Sequence, residues 1–145
     1  MTAKRKSKNN DGKKLERLVE VIERSLPNQE GVGIHSPYRI KDKVSGNLRE
    51  HDVMLIVRHG HHVSLTSIEC KDLAKKVGSP QVEAFVTKCR DTGINQGIIV
   101  SSKGFTKPAK IKAEAHNIRT LSLEEVEDFE WLADGDGRGY ENWSV

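Results

Sequence analysis

The chain has 145 residues, 24 Lys+Arg against 21 Asp+Glu, and a formal net charge of +3. That length suits one domain, and Leu, Ile, Val and Phe make up about a quarter of it, enough for a core where chains below about a fifth with large net charge stay disordered. No apolar run approaches the roughly 20 residues of a membrane span, none follows the basic start, and Cys70 and Cys89 are too few for a disulfide scaffold, so a soluble intracellular protein with no membrane partner is expected.

The charge is unevenly distributed. Residues 1–14 carry +5, residues 124–145 carry −7 and the stretch between carries +5. A basic body beside an acidic tail points to an anionic partner, nucleic acid first, although such tails also serve solubility alone.

Residues 1–12, rich in Lys, Ser and Asn, read as a disordered basic arm. Leu15, Leu18, Val19, Ile22 and Leu26 then fall at helical spacing, predicting a helix over about 13–26, capped by Asp11 and stopped before Pro27. Residues 27–37 read as loop with a short strand near Val32–Ile34. Asp52–Val57 and Val63–Lys71 read as two strands of a hairpin turning at Gly60-His61. That turn makes paired residue numbers sum to 121, so His59 faces His62 and Asp52 faces Glu69.

Beyond Gly78-Ser79-Pro80, Val82, Phe85, Val86 and Cys89 mark a helix ending near Thr92-Gly93. Gln96–Ser102 is a short strand of buried type. Pro108–His116 is a helix that Thr106 or Ser102 can cap. Ile118–Ser122 is the last strand and Glu124–Trp131 a short helix. Residues 132–145 read as a mobile acidic tail, leaving 13–131 as the folded domain. Strand–helix–strand alternation in the second half predicts a parallel pair, hence an α/β fold with a mixed sheet and helices on its faces.

Asp52, Glu69 and Lys71 are charged residues at the ends of strands that otherwise look buried. Residues directly opposed across a pair have Cβ atoms about 5 Å apart. Two carboxylates that close repel unless a cation lies between them. Mg²⁺ or Mn²⁺ suits such a pair, being a hard ion held by one or two carboxylates. Lys71 shares the face of Glu69 and could hold an attacking water or stabilise charge on a phosphorane-like transition state. Together these residues fit metal-assisted phosphodiester hydrolysis. An ion pair of Lys71 with either carboxylate fits the same pattern.

Asp52 followed by a strand and then Ile68-Glu69-Cys70-Lys71-Asp72 resembles the PD-(D/E)XK nuclease signature. The segments SIECKD, VEAFVTKCRD, GIIVSSKGFTKPA and NIRTLSLEEV resemble the catalytic domain of Mrr-like, type IV restriction endonucleases. The likeness spans about residues 13–126. It implies a restriction-endonuclease-like mixed sheet flanked by helices, in the order α-β-β-β-α-β-α-β, and a Mg²⁺-dependent endonuclease acting on DNA.

The resemblance makes Asp52 and Glu69 metal ligands, with the Cys70 backbone carbonyl a possible third, and Lys71 the catalytic lysine. Glu16 falls where the family's first helix supplies an acid, with Glu20 one turn on; a solvated helix face is the alternative. Gln81 falls near a helical Gln of the family, or is a surface residue at a helix start. The motif's proline is missing, since His51 precedes Asp52. Chain length leaves no room for the further domain with which such enzymes read modified DNA.

Lys103, Lys107 and Lys110 could contact backbone phosphate or lie in a solvated loop. His59, His61 and His62 read as a solvated turn, and Cys70 and Cys89 as packed side chains. Cutting both strands calls for a homodimer or two successive nicks. The rival readings are a nuclease for branched DNA of the Holliday-junction resolvase kind, and a non-catalytic DNA-binding subunit of a defence or mobile-element system. Either could draw specificity from a partner protein.

Overall fold

The computed structural model describes residues 15–24, 31–72 and 74–127. The basic arm, the Asp11 cap, the helix stop at Pro27 and the acidic tail lie outside the described residues. Helix α1 covers residues 15–24. Then come β1 (Val32–His35), β2 (Tyr38–Lys41), β3 (Leu48–His51), β4 (Val53–His59) and β5 (His62–Lys71). The second half alternates as α2 (Ser79–Thr92), β6 (Gln96–Ser101), α3 (Lys107–Ala115), β7 (Ile118–Ser122) and α4 (Leu123–Glu127). No helix among the described residues is long and apolar enough to cross a membrane.

Five strands form one sheet in the order β1-β4-β5-β6-β7. β1, β4 and β5 pair antiparallel, while β5, β6 and β7 run parallel. The mixed sheet expected from the sequence is therefore present. Its central hairpin has the expected register, from Val53 opposite Ile68 to His59 opposite His62. Gly60 takes φ +60° at the first turn position, a backbone that glycine adopts without steric cost.

The pleat divides the core in two. Val53, Leu55, Ile68, Ile98, Val100 and Leu121 face one way and pack with Leu18, Val21 and Ile22 of α1 and Val126 of α4. Ile99 and Ile118 face the other way and pack with Val82, Phe85 and Cys89 of α2 and Ala109 and Ala113 of α3. Cys70 lies against the α1 core and Cys89 on the buried stripe of α2, as packed side chains. Burial pushes the Cys89 thiol pKa up to about 12, which suits a packing role.

Gly97 on β6 faces α2. A Cβ there would lie 2.7 Å from the Phe85 ring and 2.8 Å from Ile118 Cδ1. Gly97→Ala is expected to destabilise the fold by about 1–3 kcal/mol through overpacking, measured by urea unfolding; an unchanged midpoint would show that Phe85 can move aside.

β2 and β3 are two strands that the sequence pattern did not reveal. They form a separate antiparallel ribbon between β1 and β4. Its loop is closed by Asp42, 2% exposed, which accepts the Val44 and Ser45 amides at 2.8 and 2.9 Å and pairs with Arg49 at 3.1 Å. The Ser45 amide leads in lowering the Asp42 pKa, against the opposing effect of burial. The Lys43 amide bonds the Asp91 carbonyl at 2.8 Å, fixing the ribbon to the end of α2. The ribbon thereby carries Glu50 and His51 up to the start of β4.

Candidate active site

Asp52 immediately precedes β4, one step past the last hairpin pair, where continued register would set it opposite Glu69. Its Oδ2 accepts the Cys70 amide at 2.9 Å, and its backbone carbonyl accepts the Ser36 hydroxyl at 2.7 Å. Burial lifts the Asp52 pKa above the usual carboxylate range; the Cys70 amide works against this and the charge of Glu69 adds to it. Asp52 and Glu69 therefore sense each other electrostatically across the strand ends, as the hairpin register implies.

Within a strand the N–H and C=O of one residue point to the same side, and alternate residues point to opposite sides. The Lys71 carbonyl accepts the Ser102 amide at 3.2 Å on the β6 side. The Cys70 amide points the other way, to Asp52. The Cys70 carbonyl thus also points to the Asp52 side. Two carboxylates and one carbonyl, all hard oxygen donors, thus stand at these neighbouring strand ends, and donors of this type suit Mg²⁺ or Mn²⁺. Among the described residues no group of three or more His, Cys, Asp or Glu side chains forms a metal cage.

Glu69 is 9% exposed and lies between two ammonium groups. Lys71 Nζ is 3.4 Å from Oε2, and Lys88 Nζ is 2.5 Å from Oε1. Lys88 was not evident from the sequence. It arrives from α2, 19 positions after Glu69, and also donates to the Glu50 carbonyl at 3.1 Å. Its one sequence signal is position: three residues after Phe85 and one before Cys89, it borders the buried stripe of the helix. A lysine stem can run along such a border and deliver its charge beyond it.

His51, in the position of the motif's proline, is fully buried. Its Nδ1 lies 2.6 Å from Ser67 Oγ and its Nε2 3.1 Å from Thr92 Oγ1. Thr92 Oγ1 donates its single proton to the Lys88 carbonyl at 2.6 Å. It must therefore accept from His51, which puts a proton on Nε2, and in the neutral imidazole Nδ1 then accepts from Ser67. Burial foremost, with the Lys88 charge, lowers the His51 pKa to about 4. His51 thus ties β5 to the helix that carries Lys88.

The remaining sequence candidates lie on other elements. Glu16 and Glu20 are exposed on α1, which packs on the sheet face opposite to that of Glu69 and Lys71; among the described residues no hydrogen bond or ion pair joins Glu16 to Asp52, Glu69 or Lys71. Gln81 Oε1 accepts the Gly78 amide at 3.0 Å, closing the start of α2. Lys88 lies two turns further along that helix, about 10 Å on. Thr106 caps α3 by accepting the Ala109 amide at 3.2 Å.

Lys103 precedes α3, while Lys107 and Lys110 stand three residues apart on it. Lys103 lines an open groove of about 540 Å³ with Arg17, Ser102 and Ser122. Lys107 lines another, with Pro108, Ile111 and Ala115, and Lys110 is exposed. His59, His61 and His62 are exposed around the hairpin turn, at the far end of β4 from His51.

A mixed sheet carrying an acid before one strand and Glu-X-Lys at the end of the next defines a restriction-endonuclease-like fold. The model of the Mrr catalytic-domain family, described as restriction endonuclease, matches residues 7–129. The chain belongs to this family. Comparison with curated proteins gives no match.

Among solved structures, the chain is similar to AF1548, a protein of unknown function, with TM-score 0.59 and 20% identity over 83% of this chain and 66% of that one. It is also similar to VC1899 from Vibrio cholerae, with TM-score 0.63 and 14% identity over 87% of this chain and 33% of that one. The restriction endonuclease MspJI, solved with a 27-mer oligonucleotide, gives TM-score 0.53 and 14% identity over 99% of this chain and 34% of that one. The chain thus spans between a third and two thirds of the length of these relatives. At such identities the likeness establishes the fold.

Proposed function

We propose that the chain is a metal-dependent endonuclease that hydrolyses DNA phosphodiester bonds. The observation that supports this reading is that Asp52, Glu69 and Lys71 stand at neighbouring ends of the interior strands β4 and β5, with the Cys70 amide bonded to Asp52 and Lys71 paired with Glu69. Mg²⁺ or Mn²⁺ would be held by Asp52, Glu69 and the Cys70 carbonyl, and when bound would supply a Lewis acid and a water of lowered pKa.

The chain's own residues do the rest. Asp52 and Glu69 hold negative charge at a buried spot. Lys71, 30% exposed and with its Nζ 3.4 Å from Glu69 Oε2, would orient water against a phosphate and stabilise the charge that develops on it. His51 holds β5 and α2 in fixed relation. Lys103, with Arg17 in the groove beyond the ends of β6 and β7, is a candidate contact for backbone phosphate. DNA is the proposed partner. Cleavage of both strands would use a homodimer or two successive nicks, and a specificity-giving partner protein remains compatible with the single site.

The test is supercoiled plasmid incubated with the protein, with and without Mg²⁺ or Mn²⁺, beside Lys71→Ala. Cation-dependent nicking or linearisation, reduced at least about a hundredfold in the variant, is the expected result. Binding without cleavage by the wild type under either cation would favour the non-catalytic subunit. Cleavage confined to branched DNA would favour the resolvase-like reading.

A further inference from the structure

The two lysines that flank Glu69 are not equivalent. Lys88 is the more enclosed, its side chain 12% exposed against 30% for Lys71. It makes the shorter contact to Glu69, donates to the Glu50 carbonyl and lies 5.7 Å over the Phe85 ring. An ammonium has three donors. Two of those on Lys88 meet oxygen and the group also faces an aromatic ring, which leaves little with which to bind a phosphate. Its partner in the site is Glu69.

Asp52 and Glu69 against Lys71 and Lys88 sum to a formal charge of zero. A divalent ion would bring two positive charges to this neutral cluster and would meet Glu69 Oε1 already engaged. A DNA phosphodiester brings the negative charge that the cluster then lacks.

We infer that Lys88 is a resident counter-cation for Glu69, which competes with the divalent ion and keeps its binding weak until a DNA phosphate is present. The inference rests on the reading of Asp52 and Glu69 as metal ligands and deepens it. Lys88 is a positioning residue: it acts through Glu69, holding the carboxylate in place before the ion arrives and yielding one oxygen when it does.

The experiment is calorimetric titration of Mn²⁺ alone, without DNA, into the full chain and into Lys88→Met, Lys88→Gln and Lys88→Arg. Met keeps the aliphatic stem, Gln keeps a donor for the Glu50 carbonyl, and Arg keeps the charge. The Met and Gln variants are expected to bind Mn²⁺ at least about tenfold more tightly than the wild type, because a positive charge beside the ion has been removed. The Arg variant should stay close to the wild type.

Thermal melts separate this from a purely structural role. Without Mn²⁺ the Met variant should melt lower, since it removes the closer of the two ammonium partners of the buried Glu69 and leaves Lys71 alone beside it, yet saturating Mn²⁺ should raise its Tm by more than it raises that of the wild type. A structural role alone would lower both stability and Mn²⁺ affinity. If Lys88→Met does not fold, Lys88→Gln carries the test. Mn²⁺ binding to the folded variants equal to or weaker than in the wild type would overturn the inference and leave the metal site standing. Absence of Mn²⁺ binding in the wild type and in every folded variant would overturn the metal-site reading itself. Binding by Lys88→Gln with none by the wild type would support the inference most strongly.

Discussion

Asp52→Asn should lose at least about a hundredfold in cleavage while melting at a higher temperature than the wild type at neutral pH. The amide is isosteric and its oxygen can still accept the Cys70 N–H. What disappears is a charge that the fold holds at a cost, because burial first and Glu69 second raise the Asp52 pKa. A carboxyl whose folded pKa lies above its unfolded value contributes stability that is fully present below the unfolded pKa and is lost as pH rises through the folded one. The wild type therefore bears this cost at pH 7 and not in acid. The Tm advantage of Asp52→Asn should be absent near pH 3 and should grow to several degrees by neutrality, where about 1 kcal/mol moves Tm by roughly 2–8 °C in domains of this order. A variant less stable than the wild type at pH 7 would instead mark Asp52 as a member of a stabilising ion pair.

The second large effect concerns His51. Its pKa falls from the ordinary 6.5 to about 4 in the folded protein. For a depressed pKa, the stabilisation is complete above the unfolded value and is lost as pH falls through the folded value. Between pH 6.5 and about 4 the native state should lose about 3 kcal/mol from this group alone, a large part of the roughly 5–15 kcal/mol typical of a domain. His51→Gln retains a donor for Thr92 and has nothing to titrate. It should be less stable than the wild type at pH 7, because the Ser67 hydroxyl loses its acceptor, and the gap should close by about 3 kcal/mol by pH 4. Urea unfolding of both proteins at the two pH values measures this. A gap independent of pH would mean that His51 titrates in the native state as it does in the unfolded chain, and a gap that widens in acid would mean that the fold holds it charged.

Much of the site's frame was readable because its determinants are local. The Gly60-His61 turn and the two β-branched runs beside it fix the hairpin register, whose continuation one step past the Val53–Ile68 pair would set Asp52 opposite Glu69. The helices after β5 and β6 follow from Pro80 and Gly93 and from Thr106 and Pro108, which start and stop them by backbone chemistry. The ribbon of β2 and β3 escaped because Tyr38-Arg39-Ile40-Lys41 and Leu48-Arg49-Glu50-His51 are short and polar, with few apolar residues to alternate. Its stability comes from Asp42 closing its loop and from the bond to Asp91, contacts between residues distant in sequence or hidden in a loop. Lys88 escaped for the same kind of reason. Helical periodicity assigns it to the rim of α2, and the packing of α2 on the sheet then decides which strand residue it meets. Glu16 rests on the resemblance alone: the burial of Leu18, Val21 and Ile22 decides the face on which α1 packs, and Glu16 itself is exposed.

The length of the central hairpin keeps chemistry and tip apart. From the Val53–Ile68 pair to the His59–His62 pair the ladder runs six steps, roughly 20 Å at strand rise, and it sets the exposed Gly60-His61 corner at the far end from Glu69 and Lys71. Turn tips of this kind accept insertions where buried backbone does not. An even extension that lengthens both arms equally would leave the pairing numbers of the inner rungs in step, whereas a single extra residue in one arm invites a slip that turns Glu69 and Lys71 to the α1 side. The corner is therefore a natural grafting point, where a fluorophore, an affinity tag or a foreign recognition module could be carried on a stiff arm without disturbing the end that holds Glu69 and Lys71.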